Sequence, residues 1–296
     1  YQQRRQGTVQ AVSYQRASTV SEAINLLREG GETARVLAGG TDLIVQARER
    51  KRNVDRFIDI KHIPEVMGIS YNTSDGLTIG AATPLYQVYD DDDVKAHYPA
   101  IVEASSVIGG TAVQGRASLG GNLCNSSPAG DSLTAMMVLG AVAHIAGPNG
   151  ERDVAVTEFF TGPGANVLAS DEFVVNIQFP ARAAGSGSAW QRFIPRNEMD
   201  IAVVNCGTYL AFDGDTVSDA RIALGAVAAT PIMAPAAAEA LIGRPLTDET
   251  IAAAAAASSE TATPIDDMRG SIRQRKHLAG VLTERTLRIA ADRARA

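Results

Sequence analysis

The residues of this chain best suited to chemistry are two glycine pairs, Gly39-Gly40 and Gly120-Gly121, rather than any set of acids or nucleophiles. Each stands among small polar side chains: Thr41 and Asp42 beside the first, Ser118 and Asn122 beside the second. Glycine lets backbone N–H groups approach an oxyanion with no Cβ in the way, and successive donors offset negative charge without a lysine. Two such loops could grip one diphosphate. Either pair taken alone is also accounted for as a tight turn. Asp42 would repel a phosphate, so its expected tasks are capping the next helix or bonding a sugar hydroxyl, whereas Thr41 and Ser118 are of the type that donates to phosphate.

Other chemistries find little footing. A GxGxxG fingerprint fails after Gly162-Pro-Gly164, where position 167 is Val, and after Gly185-Ser-Gly187, where position 190 is Trp; no Gly-Lys-Ser/Thr run exists. His62, His97, His144 and His277 are scattered outside any HExxH or Ser/His/Asp pattern and read as structural. Cys124 and Cys206 are the only cysteines, which excludes a disulfide framework and a four-thiolate zinc or iron–sulfur site, and leads us to expect a cytoplasmic, reducing compartment. The acidic run 90–93 reads as a solvated helix start, and no metal site is expected. Trp190, Arg192, Arg196 and Asp200 form a cluster readable either as a salt bridge with aromatic packing or as a cation beside a redox cofactor.

Composition narrows the partners. Lys and Arg total 27 against 33 Asp and Glu, a net charge of −6 with no basic block, so a nucleic-acid footprint is missing and any anion must be held locally. The longest apolar stretch, residues 133–147, is shorter than the ~18 residues a membrane helix needs. Residues 1–15 are polar and basic without an apolar segment, so no export signal is expected.

Positioning the glycine pairs requires elements around them. Val20, Ala23, Ile24 and Leu27 recur at helical spacing before Gly30-Gly31, residues 34–37 read as a strand, and 42–52 as a helix, which puts Gly39-Gly40-Thr41-Asp42 at a strand-to-helix turn. Short β-like runs at 57–60, 66–70 and 77–79 predict a sheet extending over 54–82, with a helix starting after Thr83-Pro84. Residues 105–131 carry too many Gly and Ser for a packed helix; 132–146 reads as an apolar helix or a helix then a strand, and 171–179 as a strand. Gly and Ser at 184–188 read as a linker, with a domain boundary near 172–188. Beyond it, strands at 201–212 and 217–227 flank the hairpin signal Asp213-Gly214-Asp215, and helices are predicted at 236–242, 248–259 and 275–293. A length of 296 residues, 45% hydrophobic and 20% charged, suits two domains of an α/β or α+β protein.

Three segments together resemble one family: Val36-Leu-Ala-Gly-Gly-Thr-Asp-Leu43, Ala117-Ser-Leu-Gly-Gly-Asn-Leu-Cys-Asn-Ser-Ser-Pro-Ala-Gly-Asp131 and Arg192-Phe-Ile-Pro-Arg-Asn-Glu-Met-Asp-Ile-Ala202. In this order, and ending with Leu224-Gly-Ala-Val-Ala-Ala-Thr-Pro231, they resemble the FAD-binding medium subunit of molybdenum hydroxylases, the family of xanthine dehydrogenase and aerobic carbon monoxide dehydrogenase. The resemblance implies an α+β, vanillyl-alcohol-oxidase-type (PCMH-like) FAD-binding fold of two subdomains, 1–65 and 66–180, followed by a C-terminal α+β domain over 181–296. Carried over by motif, Leu37, Ala38, Gly39, Gly40, Thr41, Asp42 and Leu43 would line the FAD diphosphate with Ser118, Leu119, Gly120, Gly121 and Asn122. Asp131 would bind a ribityl or ribose hydroxyl, and Ile108, Val174 and Arg192 would lie near the isoalloxazine. Arg192 stands where xanthine dehydrogenases have Lys, and as a fixed cation it could stabilise anionic reduced flavin.

The implied function is electron transfer. Electrons would pass from [2Fe–2S] clusters of a small partner subunit through FAD to NAD, a quinone or oxygen, while a large molybdopterin subunit activates the organic substrate. The FAD is expected to be non-covalent, since no His or Cys lies at 38–42 and Cys124 sits among residues expected at the diphosphate. The branch resembling 4-hydroxybenzoyl-CoA reductase carries a four-cysteine cluster insertion, which two isolated cysteines exclude. Two other readings are a self-contained flavin oxidoreductase and a flavin-free docking subunit.

Overall fold

The computed structural model describes residues 11–196 and 198–296. The first group of elements is β1 (Ser13–Arg16), α1 (Val20–Gly30), β2 (Ala34–Leu37), α2 (Leu43–Arg48) and β3 (Arg56–Asp59). The strands form a parallel sheet in the order β1-β3-β2, which requires the two helical crossovers between them. The Thr19 side chain caps α1 by accepting from the Glu22 amide, Gly31 ends it at φ +57°, and Ala23 and Leu27 are its buried face. The helix expected over 42–52 stops at Arg48: Arg50 takes a left-handed φ of +56°, and the amides of Lys51 and Arg52 fold back onto the Gln46 carbonyl.

The second group holds β4 (Ile69–Asn72), β5 (Gly76–Gly80), α3 (Leu85–Asp90), α4 (Asp92–His97), α5 (Pro99–Ser105), α6 (Thr111–Gln114), α7 (Leu119–Asn125), α8 (Asp131–Val138), β6 (Val142–Gly147), β7 (Gly150–Ala155), β8 (Phe160–Gly162), β9 (Ala165–Asn166) and β10 (Phe173–Phe179). Five of its strands make an antiparallel sheet, β4-β5-β10-β6-β7, and β8 pairs β9 separately. Two expectations change here. Residues 54–82 do not extend one sheet, because a 3-10 turn at Pro64–Val66 parts β3 from the antiparallel β4 and β5. Nor is 105–131 free of helix: it contains α6 and α7 and ends at the start of α8. Glycine is tolerated in α7 because Ser118 caps it and a side chain at position 120 would run into Ala81. The helix-then-strand alternative for 132–146 is the one adopted, as α8 and β6.

The third group is β11 (Ser186–Phe193), β12 (Val204–Asp213), β13 (Thr216–Gly225), β14 (Ile232–Met233), α9 (Pro235–Glu239), α10 (Asp248–Thr261) and α11 (Ile272–Arg295). Its four strands run antiparallel in chain order, and β12 turns into β13 through Gly214 at φ +57°, as the hairpin signal predicted. The Gly/Ser stretch at 184–188 is not a free linker. Ser186 and Ser188 are buried strand residues, and a Cβ on Gly187 would lie 2.1 Å from the Ala290 carbonyl oxygen, so the small residues let α11 lie directly on the sheet. Trp190 joins this sheet to the second group: its backbone N–H donates to Glu103 (2.8 Å) and its indole N–H to Thr134 (3.0 Å).

Candidate functional site

A cleft of about 850 Å³ opens where the three groups meet. The turn between β2 and α2 forms one wall. Gly40 holds φ +77°, and a Cβ on Gly39 would stand 2.0 Å from the Arg116 carbonyl oxygen, so each glycine has its own reason to be there. Among the described residues, the amides of Gly39, Gly40, Thr41 and Asp42 donate to no protein acceptor. Four unspent donors in a row along a concave wall suit an oxyanion.

Beneath this turn lies a network the sequence did not announce. Lys61 donates from Nζ to the Ala38 carbonyl and to Asp59, both at 2.8 Å, and Tyr14 donates to the other oxygen of Asp59 at 2.5 Å. Burial pushes the Asp59 carboxyl up, but the bonds from Lys61 and Tyr14 outweigh it and hold the group below the usual carboxylate range. Tyr14 and Asp59 are 45 positions apart, so no local spacing could have linked them.

Asp42 does not cap the helix that follows it. It occupies the residue before α2, but in a helical conformation (φ −101°, ψ −49°) from which the side chain accepts no cap bond. The carboxylate stays exposed at the cleft edge.

The second wall is α7. Ser118 Oγ accepts from the Gly121 amide (3.1 Å), and the Gly120 amide donates to the Ala81 carbonyl (3.1 Å). A Cβ on Gly120 would meet the Ala81 oxygen at 2.5 Å, whereas one on Gly121 would meet only Ser118 Oγ, at 3.2 Å. The expected second loop is therefore a capped helix, with Gly120 packed inward and Gly121 turned to the cleft. Asn122 accepts from the Ser132 hydroxyl (2.8 Å).

At the head of α8 stands Asp131, 8% exposed, with Oδ2 accepting from Arg192 at 2.6 Å. Its Oδ1 is buried with no partner among the described residues. Burial pushes the carboxyl up to about 7, with the Arg192 guanidinium pulling the other way. Such an orphaned oxygen in a cleft wall suits a hydroxyl donor of a ligand.

Of the residues carried over by motif, all but Leu37, Leu119 and Arg192 line this cleft. The first two have side chains buried in the core, and Arg192 lies behind Asp131 rather than in the cleft, also reaching the Asp200 carbonyl at 3.4 Å. The geometry of the 190–200 cluster is that of the salt-bridge and packing reading: Arg196 pairs with Asp200, Arg192 with Asp131, and Trp190 is buried. The sequence reading passed over Arg35, Arg52, Met199 and Ile201, which also line it. Met199 and Ile201 lie inside the third motif and Arg35 one position before the first, signals available in the sequence; Arg52 carries none of comparable weight.

Two of the four histidines are held in contacts away from the cleft. His97 stacks on Tyr71 with centroids 4.5 Å apart, and His144 bridges Asp153 (2.6 Å) and Glu151 (3.1 Å). No metal-ligand cluster occurs among the described residues. Asp91 caps α4 by accepting from Val94, so the acidic run is the helix start it was read as. No helix among the described residues is long and apolar enough to cross a membrane.

Residues 9–182 match the family model described as the FAD binding domain in molybdopterin dehydrogenase, and residues 191–290 match the CO dehydrogenase flavoprotein C-terminal domain. The chain belongs to the FAD-binding subunits of the molybdenum hydroxylases. It is 33% identical over 276 residues to the xanthine dehydrogenase FAD-binding subunit of Escherichia coli O157:H7, covering 93% of this chain and 94% of that one. It is also 33% identical over 277 residues to the carbon monoxide dehydrogenase medium chain of Hydrogenophaga pseudoflava, covering 94% and 96%. The structure superposes with TM-score 0.92 on a chain of carbon monoxide dehydrogenase from Hydrogenophaga pseudoflava lacking the Mo-pyranopterin moiety, at 34% identity, covering 97% of this chain and 99% of that chain. Membership makes this FAD-binding subunit part of an oxidoreductase and makes FAD its cofactor. The residues present suit that cofactor, with unspent amides for an oxyanion and an orphaned carboxylate oxygen for a hydroxyl.

Proposed function

We propose that this chain is the electron-transfer subunit of a three-part molybdenum hydroxylase, taking electrons from the [2Fe–2S] clusters of a small partner and delivering them to NAD, a quinone or oxygen. A large molybdopterin subunit would activate the organic substrate. FAD, when bound, exchanges electrons singly or in pairs and so joins a one-electron relay to a two-electron acceptor. The observation that carries this reading is the row of free amides at Gly39–Asp42 in a cleft whose own carboxylates are mostly paired.

The chain's residues bind and orient. The Gly39–Asp42 amides would face the diphosphate, with Leu37 and Leu43 shaping the turn behind them. Ser118 would direct its O–H there while it holds the Gly121 amide, and Gly120 and Leu119 would seat α7 close enough for Asn122 to take part. Asp131 Oδ1 would accept a ribityl or ribose hydroxyl, with Arg192 keeping that carboxylate oriented. Ile108 and Val174 would give the isoalloxazine an apolar, water-excluding contact. The cofactor would be dissociable, because burial pushes the thiol of Cys124, which lines the cleft, up to about 12 and leaves it a poor nucleophile. Two unbridged cysteines support a cytoplasmic setting. The division into units 1–65, 66–180 and 181–296 is proposed on the support of three groups of elements: the parallel sheet, the antiparallel five-stranded sheet and the C-terminal sheet with α11.

The test is an absorption spectrum of the purified chain, then acid precipitation and mass identification of any flavin set free. FAD in the supernatant, bleached when substrate is given to the assembled complex, is the expected result. Flavin retained in the pellet would overturn the dissociable reading. Turnover of an organic donor by the isolated chain would replace electron transfer with a self-contained oxidoreductase, and a chain that assembles but takes up no FAD would be a docking subunit.

A further inference from the structure

The turn that leads into α11 presents apolar side chains to solvent from a tightly bonded backbone. Met268 is 93% exposed and Ile265 72%, the two most exposed large hydrophobic side chains among the described residues, and Ile272 on the other leg of the turn is exposed as well. This is not the exposure of a loose segment. Asp267 Oδ1 accepts from the amides of Arg269 (2.8 Å) and Gly270 (3.2 Å), the backbones of Asp267 and Gly270 bond to each other, and Asp266 Oδ1 accepts from the Ile272 amide at 2.6 Å. These bonds draw the two legs together and hold Met268 at the tip.

The charge around that tip is mostly positive, although the chain as a whole is acidic. Of the two acids in residues 265–277, Asp267 is held by the buried Arg275 guanidinium at 2.7 Å, which leaves Asp266 against Arg269, Arg273 and Lys276. Arg269 comes no nearer to Asp267 than 4.0 Å, and Arg273 and Lys276 form no ion pair among the described residues, with Glu260 near the end of α10 or with any other acid. Arg275 also ties the turn to the cleft. It donates to the carbonyls of Val203 and Ala226, both at 2.8 Å. Val203 stands two residues beyond Ile201 of the cleft lining, and the Ala226 amide donates to the carbonyl of Pro128, between Ser127 and Ala129 of the same lining. A Cβ on Gly270 would lie 3.1 Å from Val203 Cγ1, so the turn rests directly on the segment that carries the cleft edge.

We propose that the 265–272 turn is the docking surface for the small [2Fe–2S] partner, with Met268 entering an apolar pocket of that chain and Arg269, Arg273 and Lys276 meeting a rim of carboxylates around it. The proposal rests on the electron-transfer reading and names the surface that seats the electron donor. Electron transfer weakens steeply with distance, so the donor must sit beside the cleft, and this turn is bonded through Arg275 to two stretches that line it. An apolar side chain already fixed in place loses little freedom on insertion, and a cationic surround steers an acidic partner and sets its register. Three aliphatic side chains on a short turn form no amphipathic helix, which favours a protein pocket over a lipid surface.

The experiment places a photoreactive benzophenone amino acid at position 268 of the assembled three-subunit complex and identifies by mass the chain crosslinked on illumination. Separately, the parent chain, Met268→Asp, Met268→Leu and the double variant Arg269→Glu/Arg273→Glu are titrated with the purified [2Fe–2S] subunit at several KCl concentrations. Expected are a crosslink to the [2Fe–2S] subunit, a dissociation constant raised about tenfold by Met268→Asp and within about twofold of the parent for Met268→Leu. The double charge reversal should weaken binding about tenfold at low salt and remove most of the salt dependence. The isolated variants should keep the parent's melting temperature and FAD content, since the substituted side chains are exposed; should Met268→Asp melt lower, the crosslink decides. A crosslink to the molybdopterin subunit or to a second copy of this chain, no crosslink, Met268→Asp binding like the parent, an unchanged salt dependence in the double variant, or capture of the parent chain by phosphatidylserine vesicles in place of the [2Fe–2S] subunit overturns the docking surface. Bleaching of FAD by substrate judges the electron-transfer reading independently: bleaching in a complex crosslinked elsewhere spares that reading and overturns the docking surface, and the expected crosslink without bleaching does the reverse.

Discussion

The two Gly-Gly pairs look interchangeable in sequence and are opposite in structure. Gly39-Gly40 lies in an open turn with its amides unspent, whereas Gly120-Gly121 is wound into α7 with both amides satisfied, one by Ala81 and one by Ser118. Within each pair one glycine serves packing, Gly39 against Arg116 and Gly120 against Ala81, and the other serves the cleft. The acids that follow differ in the same way. Asp42 is exposed and uncapped, while Asp131 is buried and paired. A dipeptide therefore reports only that a side chain was unwelcome; what excluded it must be read from the neighbours.

Four measurements would break or sharpen this contrast. The largest effect is expected for Gly39→Ala, whose Cβ would meet a backbone oxygen at 2.0 Å and force the two walls apart: loss of bound flavin together with about 3 kcal/mol of stability, read by flavin content and denaturant melts. Gly120→Ala meets the Ala81 oxygen at 2.5 Å at a buried position of α7, and about 2 kcal/mol should be lost, with flavin retained at low temperature. If both variants lose flavin while keeping full stability, the packing account of these glycines is wrong.

Gly121→Ala separates the cleft-facing role from packing. Its Cβ would meet only Ser118 Oγ, so the melting temperature should hardly move, while FAD affinity falls about tenfold by calorimetric titration. A melting point that drops in parallel would place Gly121 with Gly120. The fourth measurement concerns Asp131. Its carboxyl holds a proton to about 7 in the folded chain against 3.8 ordinarily, so the flavin-free chain takes up a proton on folding between those values and loses stability as pH rises from 4 to 7. Asp131→Asn should flatten that slope in thermal melts; an unchanged slope would assign it to other groups.

Much of this architecture could be read from the sequence where the signals were local. The Thr19 cap and Gly31 stop delimit α1, alternation and Asp213-Gly214-Asp215 delimit the β12–β13 hairpin, and the glycine pairs pointed to the cleft. The misreadings share one cause. Gly and Ser at 117–121 were read as a loop and those at 184–188 as a linker, yet both stretches are small because another segment presses on them, Ala81 in one case and α11 in the other. Contacts over such separations, like Tyr14 with Asp59 or Arg192 with Asp131, leave no periodicity to find.

Trp190 is the chain's single tryptophan, 3% exposed, with its ring hydrogen-bonded to α8 and its backbone to α5. It lies on the strand that also carries Arg192, the residue that holds Asp131. The intrinsic emission of this protein therefore comes from one place, the seam through which the C-terminal sheet reaches the cofactor cleft. Light from that indole will shift to longer wavelength when water enters the seam, giving an unlabelled optical record of whether the sheet is seated.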